Sequence, residues 1–255
     1  GVPCLIINRY CGSVLEAIHL ACAKINSGSA ECVIAGGTES MSMVPMTGYK
    51  SALNYNISNT NPEYYLNMGL TAEKLALKYK ITREESDLFS YNSHQKAINA
   101  IEKNLFKNEN KPIDVEEITE VNNKKTTSKW TVEKDEGPRK NTTVEALSKL
   151  KPAFKVGGQV TAGNSSQMSD GAAFVVVMSE KMIKKLNIEP IGRLVSYATA
   201  GVEPSIMGIG PADAVPKALK QAGLKQNDIE QVELNEAFAA QALSVIKALD
   251  LDDKI

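Results

Sequence analysis

The sequence predicts an α/β fold, because segments typical of strands alternate with segments typical of helices near both ends of the chain. The middle of the chain is different, since clusters of proline, asparagine, lysine and serine interrupt the regular pattern there. We therefore expect an α/β core that is interrupted by a loop-rich insertion at about residues 45–158.

Three elements are predicted before this insertion. The apolar segment CLIIN, residues 4–8, is typical of a strand. The apolar spacing from Ser13 to Asn26 indicates a helix that ends before Gly28. The segment ECVIAGG, residues 31–37, predicts a buried strand that is closed by its glycines.

Two helix starts are predicted inside the insertion. Thr82 and Glu85 have the spacing of a capping box, and Thr142 and Glu145 repeat that spacing. After Thr82, one face of the predicted helix carries a stripe of mostly apolar residues: Leu88, Tyr91, His94, Ile98, Ile101 and Leu105. We therefore expect His94 to be a core histidine whose ring is hydrogen-bonded.

Regular signals return after the insertion. The apolar segment at residues 171–179 predicts a central strand, and residues 191–199 and 231–235 predict two more strands. Pro211 marks the start of a helix, and residues 236–249 predict another helix.

The composition is that of an ordinary globular chain with a sizeable core, because 43% of the residues are apolar, 23% are charged and the net charge is −1. This nearly even balance of positive and negative charges gives no reason to expect nucleic acid or an anionic membrane as a partner. Four cysteines without CxxC spacing and only two histidines also argue against a metal site or a disulfide framework. No segment reaches the roughly 20 apolar residues of a membrane helix, so we expect a soluble protein.

Cys11 is a candidate nucleophile because it precedes a predicted helix. Unpaired N–H groups and the positive end of the helix dipole stabilise a thiolate there, and Gly12 leaves room for a substrate. The alternative is a buried cysteine that acts as a small apolar side chain. His19 lies eight residues later, about 12 Å along the helix axis, which is too far for it to be the base of Cys11.

Six segments, taken in order, resemble successive signatures of the thiolases, the acyl-CoA C-acyltransferases. They are NRYCGSVLEAI, CVIAGGTESMSMVPM, NMGLTAEKLA, VTAGNSSQMSDGAA, GVEPSIMGIGP and VELNEAFAAQ, and the resemblance covers essentially all 255 residues. It implies a layered αβαβα core of two similar halves with an inserted loop domain. Residues 1–44 and 159–188 would form the N-terminal half, residues 45–158 the CoA-binding loop domain, and residues 189–255 the start of the C-terminal half.

The resemblance also implies catalytic roles. Cys11 matches the cysteine that attacks a 3-ketoacyl-CoA, and Asn235 matches the asparagine that holds a water for the enolate oxygen. A simple helix N-cap is the alternative role for Asn235. The family's N-terminal βα-rich segment, its Gly-His-Pro motif and its second cysteine are absent from these 255 residues. We therefore expect the chain to be a fragment that is inactive alone.

Coenzyme A is the implied co-substrate, with no permanently bound cofactor and no metal. Arg139 matches an arginine that packs against the adenine, although it is alternatively an ordinary surface arginine. Ser166 and Ala162 match the wall of the pantetheine tunnel. The residues that match the lining of the reacting end, and that are alternatively plain core, are Met68, Met207, Ala237 and Phe238.

The resemblance favours the degradative 3-ketoacyl-CoA thiolases of fatty acid β-oxidation. Asn67 precedes Met68 where acetoacetyl-type biosynthetic thiolases carry a histidine. A biosynthetic acetyl-CoA acetyltransferase and a non-catalytic carrier of acyl-CoA or lipid are the alternatives. The family further implies a homodimer or homotetramer. Cytoplasm is the default compartment, with mitochondrial and peroxisomal relatives as alternatives.

Overall fold

The computed structural model describes residues 1–252, without the side chain of residue 121. The helices are α1 (Ser13–Asn26), α2 (Tyr55–Thr60), α3 (Met68–Tyr79), α4 (Arg83–Glu102), α5 (Val144–Ser148), α6 (Glu180–Leu186), α7 (Gly210–Ala222) and α8 (Ala239–Leu249). The strands are β1 (Cys32–Ser40), β2 (Ile113–Val121), β3 (Lys124–Val132) and β4 (Asp170–Met178). This mixture of helices and strands confirms the predicted α/β class.

The chain forms two compact units. Unit 1 contains Gly1–Leu66 and Met168–Glu233, followed by Asp252, and unit 2 contains Asn67–Gln167 and Leu234–Leu251. Each unit is therefore assembled from segments that are distant in the sequence.

Unit 1 is built around the antiparallel pair β1 and β4, in which Cys32 lies opposite Met178 and Ser40 opposite Asp170. Helix α1 packs on β1. A Cβ atom at Gly37 would lie 2.8 Å from Cγ2 of Val14, so glycine permits the close approach of helix and strand. The strands predicted at residues 31–37 and 171–179 are present as β1 and β4, but β1 is not the buried strand that was expected, since Cys32 is exposed and Ile34 is 71% exposed. Strand β4 has only β1 as a neighbour in the described chain rather than a central place.

Three predicted strands are wrong. Residues 4–8, 191–199 and 231–235 belong to no strand. A strand needs a hydrogen-bonded neighbour, and none of these segments has a ladder partner within residues 1–252. Ile6 and Ile191 are fully exposed, so an apolar run alone did not indicate a buried strand here.

The predicted helices are largely confirmed. Helix α1 has the predicted limits and is followed by Gly28 in the left-handed region, at a φ of 75°. Pro211 lies in the first turn of α7. Helix α8 begins three residues later than the predicted start at residue 236, because residues 235–238 take a non-helical path.

The two predicted capping boxes have different outcomes. The first is confirmed, since Glu85 N–H donates to Thr82 Oγ1 at 3.1 Å and Thr82 N–H donates to Glu85 Oε2 at 2.6 Å. The second is displaced by one residue, because Thr143 caps α5 by accepting from Ala146 N–H at 3.1 Å. This start places Glu145 one position too early for the reciprocal bond.

The sequence reading missed the antiparallel hairpin of β2 and β3. Its turn contains Asn122 and Asn123, which adopt φ angles of 52° and 60°. Asparagine tolerates this left-handed region and is frequent in two-residue hairpin turns. The Asn-Asn pair between two β-rich segments was the signal that could have predicted the hairpin.

The core of unit 2 lies between α3 and α8, where Ala76, Ile81 and Ala240 form a buried cluster. On α4 the predicted apolar stripe is partly wrong. Leu88 is exposed, and Leu105 is exposed beyond the end of the helix at Glu102, whereas the buried positions of α4 are Ser86 and Asp87.

Asp87 is buried because it takes part in a polar network. Its carboxylate accepts from Arg83 Nε at 2.7 Å and from Asn164 Nδ2 at 3.0 Å. The Arg83 guanidinium also donates to the carbonyls of Leu147 and Leu150, at 2.6 and 3.0 Å. The network therefore joins α4 to α5 and to the loop that contains Asn164.

We predict that Asp87→Ala destabilises the protein by about 3 kcal/mol, because it removes one partner of a buried ion pair and leaves the other charge uncompensated. Thermal unfolding of the full-length protein measures the change. Glu180→Ala is the control, since Glu180 and Lys184 form an exposed pair with the same spacing of four residues. Equal shifts in the two variants would contradict the prediction.

Candidate functional site

Cys11 lies in a short 3-10 turn, Tyr10–Gly12, that leads directly into α1. Gly12 is the N-cap position of the helix, so Cys11 is next to the helix N-terminus as predicted. Its side chain is exposed and forms no disulfide. The alternative of a buried apolar cysteine is therefore wrong, while the catalytic role stays a prediction.

The backbone before Cys11 is strained. Tyr10 has a φ of 48°, a left-handed conformation that costs a residue with a bulky side chain about 1 to 2 kcal/mol. Hydrogen bonds hold it: Tyr10 N–H donates to Asn8 Oδ1 at 2.9 Å, and Ser13 Oγ donates to the Tyr10 carbonyl at 2.8 Å. Arg9 N–H donates to Ser13 Oγ at 2.8 Å, and Gly12 N–H donates to the Arg9 carbonyl at 3.1 Å. Four bonds thus fix the turn that presents the thiol.

In unit 2 the structure brings two predicted site segments together. Ser166 N–H donates to the Ala237 carbonyl at 2.9 Å, and Ser165 and Phe238 form an antiparallel bridge. Ala162 begins a 3-10 turn in the same loop as Ser166. Ser166, one of the two residues matched to the pantetheine wall, therefore contacts the segment that follows Asn235.

Asn235 is exposed in this segment, ahead of α8. The N-cap position of α8 belongs to Phe238, and no side chain caps the helix there. The alternative that Asn235 is a simple N-cap of α8 is therefore wrong.

Ser93 on α4 also holds this segment, because its Oγ donates to Glu236 Oε2 at 2.6 Å. The contact joins residues that are 143 positions apart. Sequence reasoning missed it, since no local spacing signals such a pair.

Met68 is the first residue of α3 and is half-buried. Asn67 caps this helix, because its side-chain oxygen accepts from Leu70 N–H at 2.9 Å. Asn67, which stands where biosynthetic thiolases carry a histidine, thus has a structural role as the cap of α3. Next to Met68, Gly69 lies under the ring of Phe154, whose edge contacts Phe238 with a centroid distance of 5.8 Å.

His94 is half-buried, and its Nδ1 accepts from the backbone N–H of Arg139 at 3.3 Å. Burial, with a smaller contribution from the Arg139 charge, lowers the pKa of His94, which favours a neutral ring able to accept this bond. The expectation of a hydrogen-bonded ring is confirmed, in a site that is only partly buried. Arg139 itself is exposed, and its contact with adenine stays a prediction.

Met207 lies in unit 1, as does Cys11, in a 3-10 turn formed by Pro204–Ile209. It is 48% exposed, so the alternative of a plain core residue is wrong for Met207.

Comparison with known proteins assigns the chain. The family model of the thiolase N-terminal domain matches residues 1–181, and that of the thiolase C-terminal domain matches residues 188–255. The chain belongs to the thiolase family. A 3-ketoacyl-CoA thiolase of Bacillus subtilis is 47% identical over 255 residues, and an acetyl-CoA acetyltransferase of Pseudomonas aeruginosa is 44% identical over 266 residues. Each comparison covers 99% of this chain but 65% of the relative's length.

Solved thiolase structures agree with this assignment. Human mitochondrial 3-ketoacyl-CoA thiolase is similar with a TM-score of 0.83 at 43% identity, over 96% of this chain and 63% of that chain. The dimeric peroxisomal thiolase of Saccharomyces cerevisiae is similar with a TM-score of 0.84 at 38% identity, over 97% of this chain and 61% of that chain. The predicted thiolase-like fold is thereby confirmed.

Among residues 1–252, no three metal-ligating side chains are grouped so that they could hold an ion. Over the same residues, the helices are too short or too polar for any of them to span a bilayer.

The packing of Phe154 on Gly69 gives a testable consequence. We predict that Gly69→Ala destabilises the protein by about 1 to 3 kcal/mol, because the added methyl forces the tightly packed ring to move. The ideal Cβ would lie 2.2 Å from a ring atom. Thermal unfolding of the full-length protein measures the effect.

Gly210→Ala is the control, because Gly210 also lies in the first turn of a helix but has nothing within 4 Å of its ideal Cβ. Alanine should be neutral or slightly stabilising there. If the unfolding midpoint of Gly69→Ala were equal to or above that of Gly210→Ala, the prediction would be contradicted, because the Phe154 ring would then move without a loss of stability.

Proposed function

We propose that the full-length protein is an acyl-CoA C-acyltransferase that cleaves 3-ketoacyl-CoA with free CoA, giving acetyl-CoA and a shortened acyl-CoA. The observation that carries the proposal is the exposed Cys11, held in a strained turn at a helix N-terminus of a thiolase chain. This location favours a thiolate, and the rigid turn presents it to a substrate.

The proposed reaction has two transfers. The sulfur of Cys11 attacks the ketone carbon, and the bond to the adjacent carbon breaks, so that its electron pair leaves on the enolate of acetyl-CoA and takes up a proton. The thiol of a second CoA then attacks the acyl-cysteine and releases Cys11. Asn235 would hold the water that donates to the enolate oxygen.

The proposed CoA site follows the segments of unit 2. Ser166 and Ala162 would line the pantetheine tunnel, and the planar Arg139 guanidinium would face the adenine. Met68, Met207, Ala237 and Phe238 would line the reacting end. The hydrogen bond between Ser166 and Ala237 supports a common wall for pantetheine and acyl group. A similar structure, 42% identical, is the human mitochondrial thiolase in complex with CoA.

We further propose the division into residues 1–44 with 159–188, the inserted residues 45–158, and residues 189–255. The change of matching family model between residues 181 and 188 supports the last boundary. A homodimer or homotetramer is proposed as well, supported by the dimeric yeast relative and by exposed apolar residues such as Phe174 and Val176 on β4. Cytoplasm stays the proposed compartment, although two similar structures come from mitochondrial and peroxisomal enzymes.

We predict that Cys11→Ala abolishes CoA-dependent cleavage of a medium-chain 3-ketoacyl-CoA by the full-length protein, because no other group forms the acyl intermediate. Loss of the 3-ketoacyl-CoA absorbance measures the activity. Cys4→Ala and Cys32→Ala are the controls, since both remove an exposed free thiol and should keep turnover. Turnover by Cys11→Ala would overturn the proposed mechanism. A wild-type protein that binds acyl-CoA without turnover would instead support the carrier alternative.

The reaction class needs its own experiment. The B. subtilis relative supports the degradative class, and the P. aeruginosa relative supports a biosynthetic acetyl-CoA acetyltransferase. We predict that kcat/KM is higher on 3-ketohexadecanoyl-CoA than on acetoacetyl-CoA, because a degradative site must accommodate longer chains. The opposite order would assign the protein to the biosynthetic class.

A further inference from the structure

A closed network of three side chains in unit 1 adjoins the turn of Cys11. Arg9 Nη1 donates to Glu16 Oε2 at 2.6 Å and to the Tyr197 hydroxyl at 2.8 Å. The same hydroxyl donates to Glu16 Oε2 at 2.6 Å. Each of the three groups therefore bonds to the other two, which fixes the direction of the Arg9 side chain.

Tyr197 is itself held from two sides. Its ring stacks on the ring of His19 from α1, with a centroid distance of 4.3 Å and an interplanar angle of 16°. Its neighbour Ser196 donates to the Ala218 carbonyl of α7 at 2.9 Å. These contacts with α1 and α7 thus fix the position of the Tyr197 hydroxyl.

The hydrogen bonds of the network stabilise the charged forms of Glu16 and Arg9. The bond from the Tyr197 hydroxyl, followed by that from Arg9, lowers the pKa of the Glu16 carboxyl. The bond to Glu16 raises the pKa of Arg9. Both groups are therefore in their paired, charged forms at neutral pH.

Arg9 connects this network to the thiol. Its carbonyl accepts from Gly12 N–H and its N–H donates to Ser13 Oγ, so the backbone of Arg9 is bonded to residues on the helix side of Cys11. Between Arg9 and Cys11 lies Tyr10, whose left-handed conformation needs a rigid setting. Fixing the Arg9 side chain restricts rotation of the Arg9 backbone. This restriction helps to hold Tyr10 in its left-handed conformation.

We propose that Glu16 and Tyr197 are positioning residues that act through Arg9 to hold the Cys11 thiol at the N-terminus of α1. The effect on turnover rests on the proposed function, whereas the effect on thiol reactivity does not. Arg9 and Glu16 belong to the stretch matched by the thiolase N-terminal domain, and Tyr197 belongs to the stretch matched by the C-terminal domain. The second domain thus contributes to the placement of a nucleophile in the first.

The same residues line a cleft of about 420 Å³, together with His19, Lys217 and other side chains. The charges of Arg9 and Glu16 are already paired with each other in this cleft. That pairing favours a positioning role over the capture of a charged ligand.

The test uses Tyr197→Phe and Glu16→Gln in the full-length protein. Tyr197→Phe keeps the ring for stacking and removes only the hydroxyl, while Glu16→Gln keeps the shape and removes the charge. Iodoacetamide is applied without substrate, and peptide mass spectrometry gives separate alkylation rates for Cys11 and Cys32. Steady-state kinetics on a 3-ketoacyl-CoA gives kcat and KM.

We predict that Cys11 is alkylated about tenfold more slowly in both variants, because a mobile turn loses the helix-dipole stabilisation of its thiolate. The rate at Cys32 should stay the same, and kcat should fall about tenfold with KM nearly unchanged, since the CoA contacts are not altered. Tyr65→Phe is the control for the tyrosine, because its hydroxyl accepts a hydrogen bond from Asn54 N–H elsewhere in unit 1. Glu116→Gln is the control for the carboxylate, because Glu116 forms an exposed pair with Lys129 and is not adjacent to a cysteine.

Wild-type alkylation of Cys11 in Tyr197→Phe would overturn the proposal. A parallel rise at Cys11 and Cys32 with a lower unfolding midpoint would overturn it too, since that pattern indicates general destabilisation. If the wild-type protein shows no turnover, the proposed function fails, and the alkylation rates still decide whether the network positions Cys11.

Discussion

The side-chain oxygens of Glu73 and Asp87 leave water when unit 2 folds, and both carboxylates accept hydrogen bonds from one loop, in addition to the bond that Asp87 accepts from Arg83. Glu73 accepts from the backbone N–H groups of Gln159 and Val160, at 2.8 to 3.1 Å, and Asp87 accepts from Asn164. A buried carboxylate without donors costs several kcal/mol, so the loop is required to lie against α3 and α4. Through this loop, the two carboxylates also set the place of Ser166 and of the segment bonded to it.

Unit 1 holds its candidate nucleophile by other means. The turn of Cys11 is exposed, and it rests on short-range backbone bonds together with partly exposed side chains. Water competes for such bonds, so each contributes little alone, and geometry depends on their acting together. The strained conformation of Tyr10 is maintained only because these hydrogen bonds act together.

Short-range sequence patterns predicted the features that short-range interactions determine, such as helix limits and helix caps. The limits of α1 followed from its apolar spacing and Gly28, and the cap of α4 followed from Thr82 and Glu85, three residues apart. The strand predicted at residues 191–199 failed because pairing depends on a partner elsewhere in the chain. The bonds from Ser93 to Glu236 and from Tyr197 to Glu16 span 143 and 181 residues, and no spacing rule reaches that far. Cys11 was indicated by its place before a helix, whereas the other candidate site residues came from family resemblance.

The alternation of the two units along the chain has a consequence for synthesis. Strand β1 ends at Ser40 and its partner β4 begins only at Asp170, about 130 residues later. At a translation rate of about 5 to 20 residues per second, β1 waits on the order of ten seconds without its hydrogen-bonded neighbour. An apolar strand with a free edge is prone to pair with other chains during that time. The delay between the two strands is therefore a period of risk during synthesis that the stability of the finished fold does not remove.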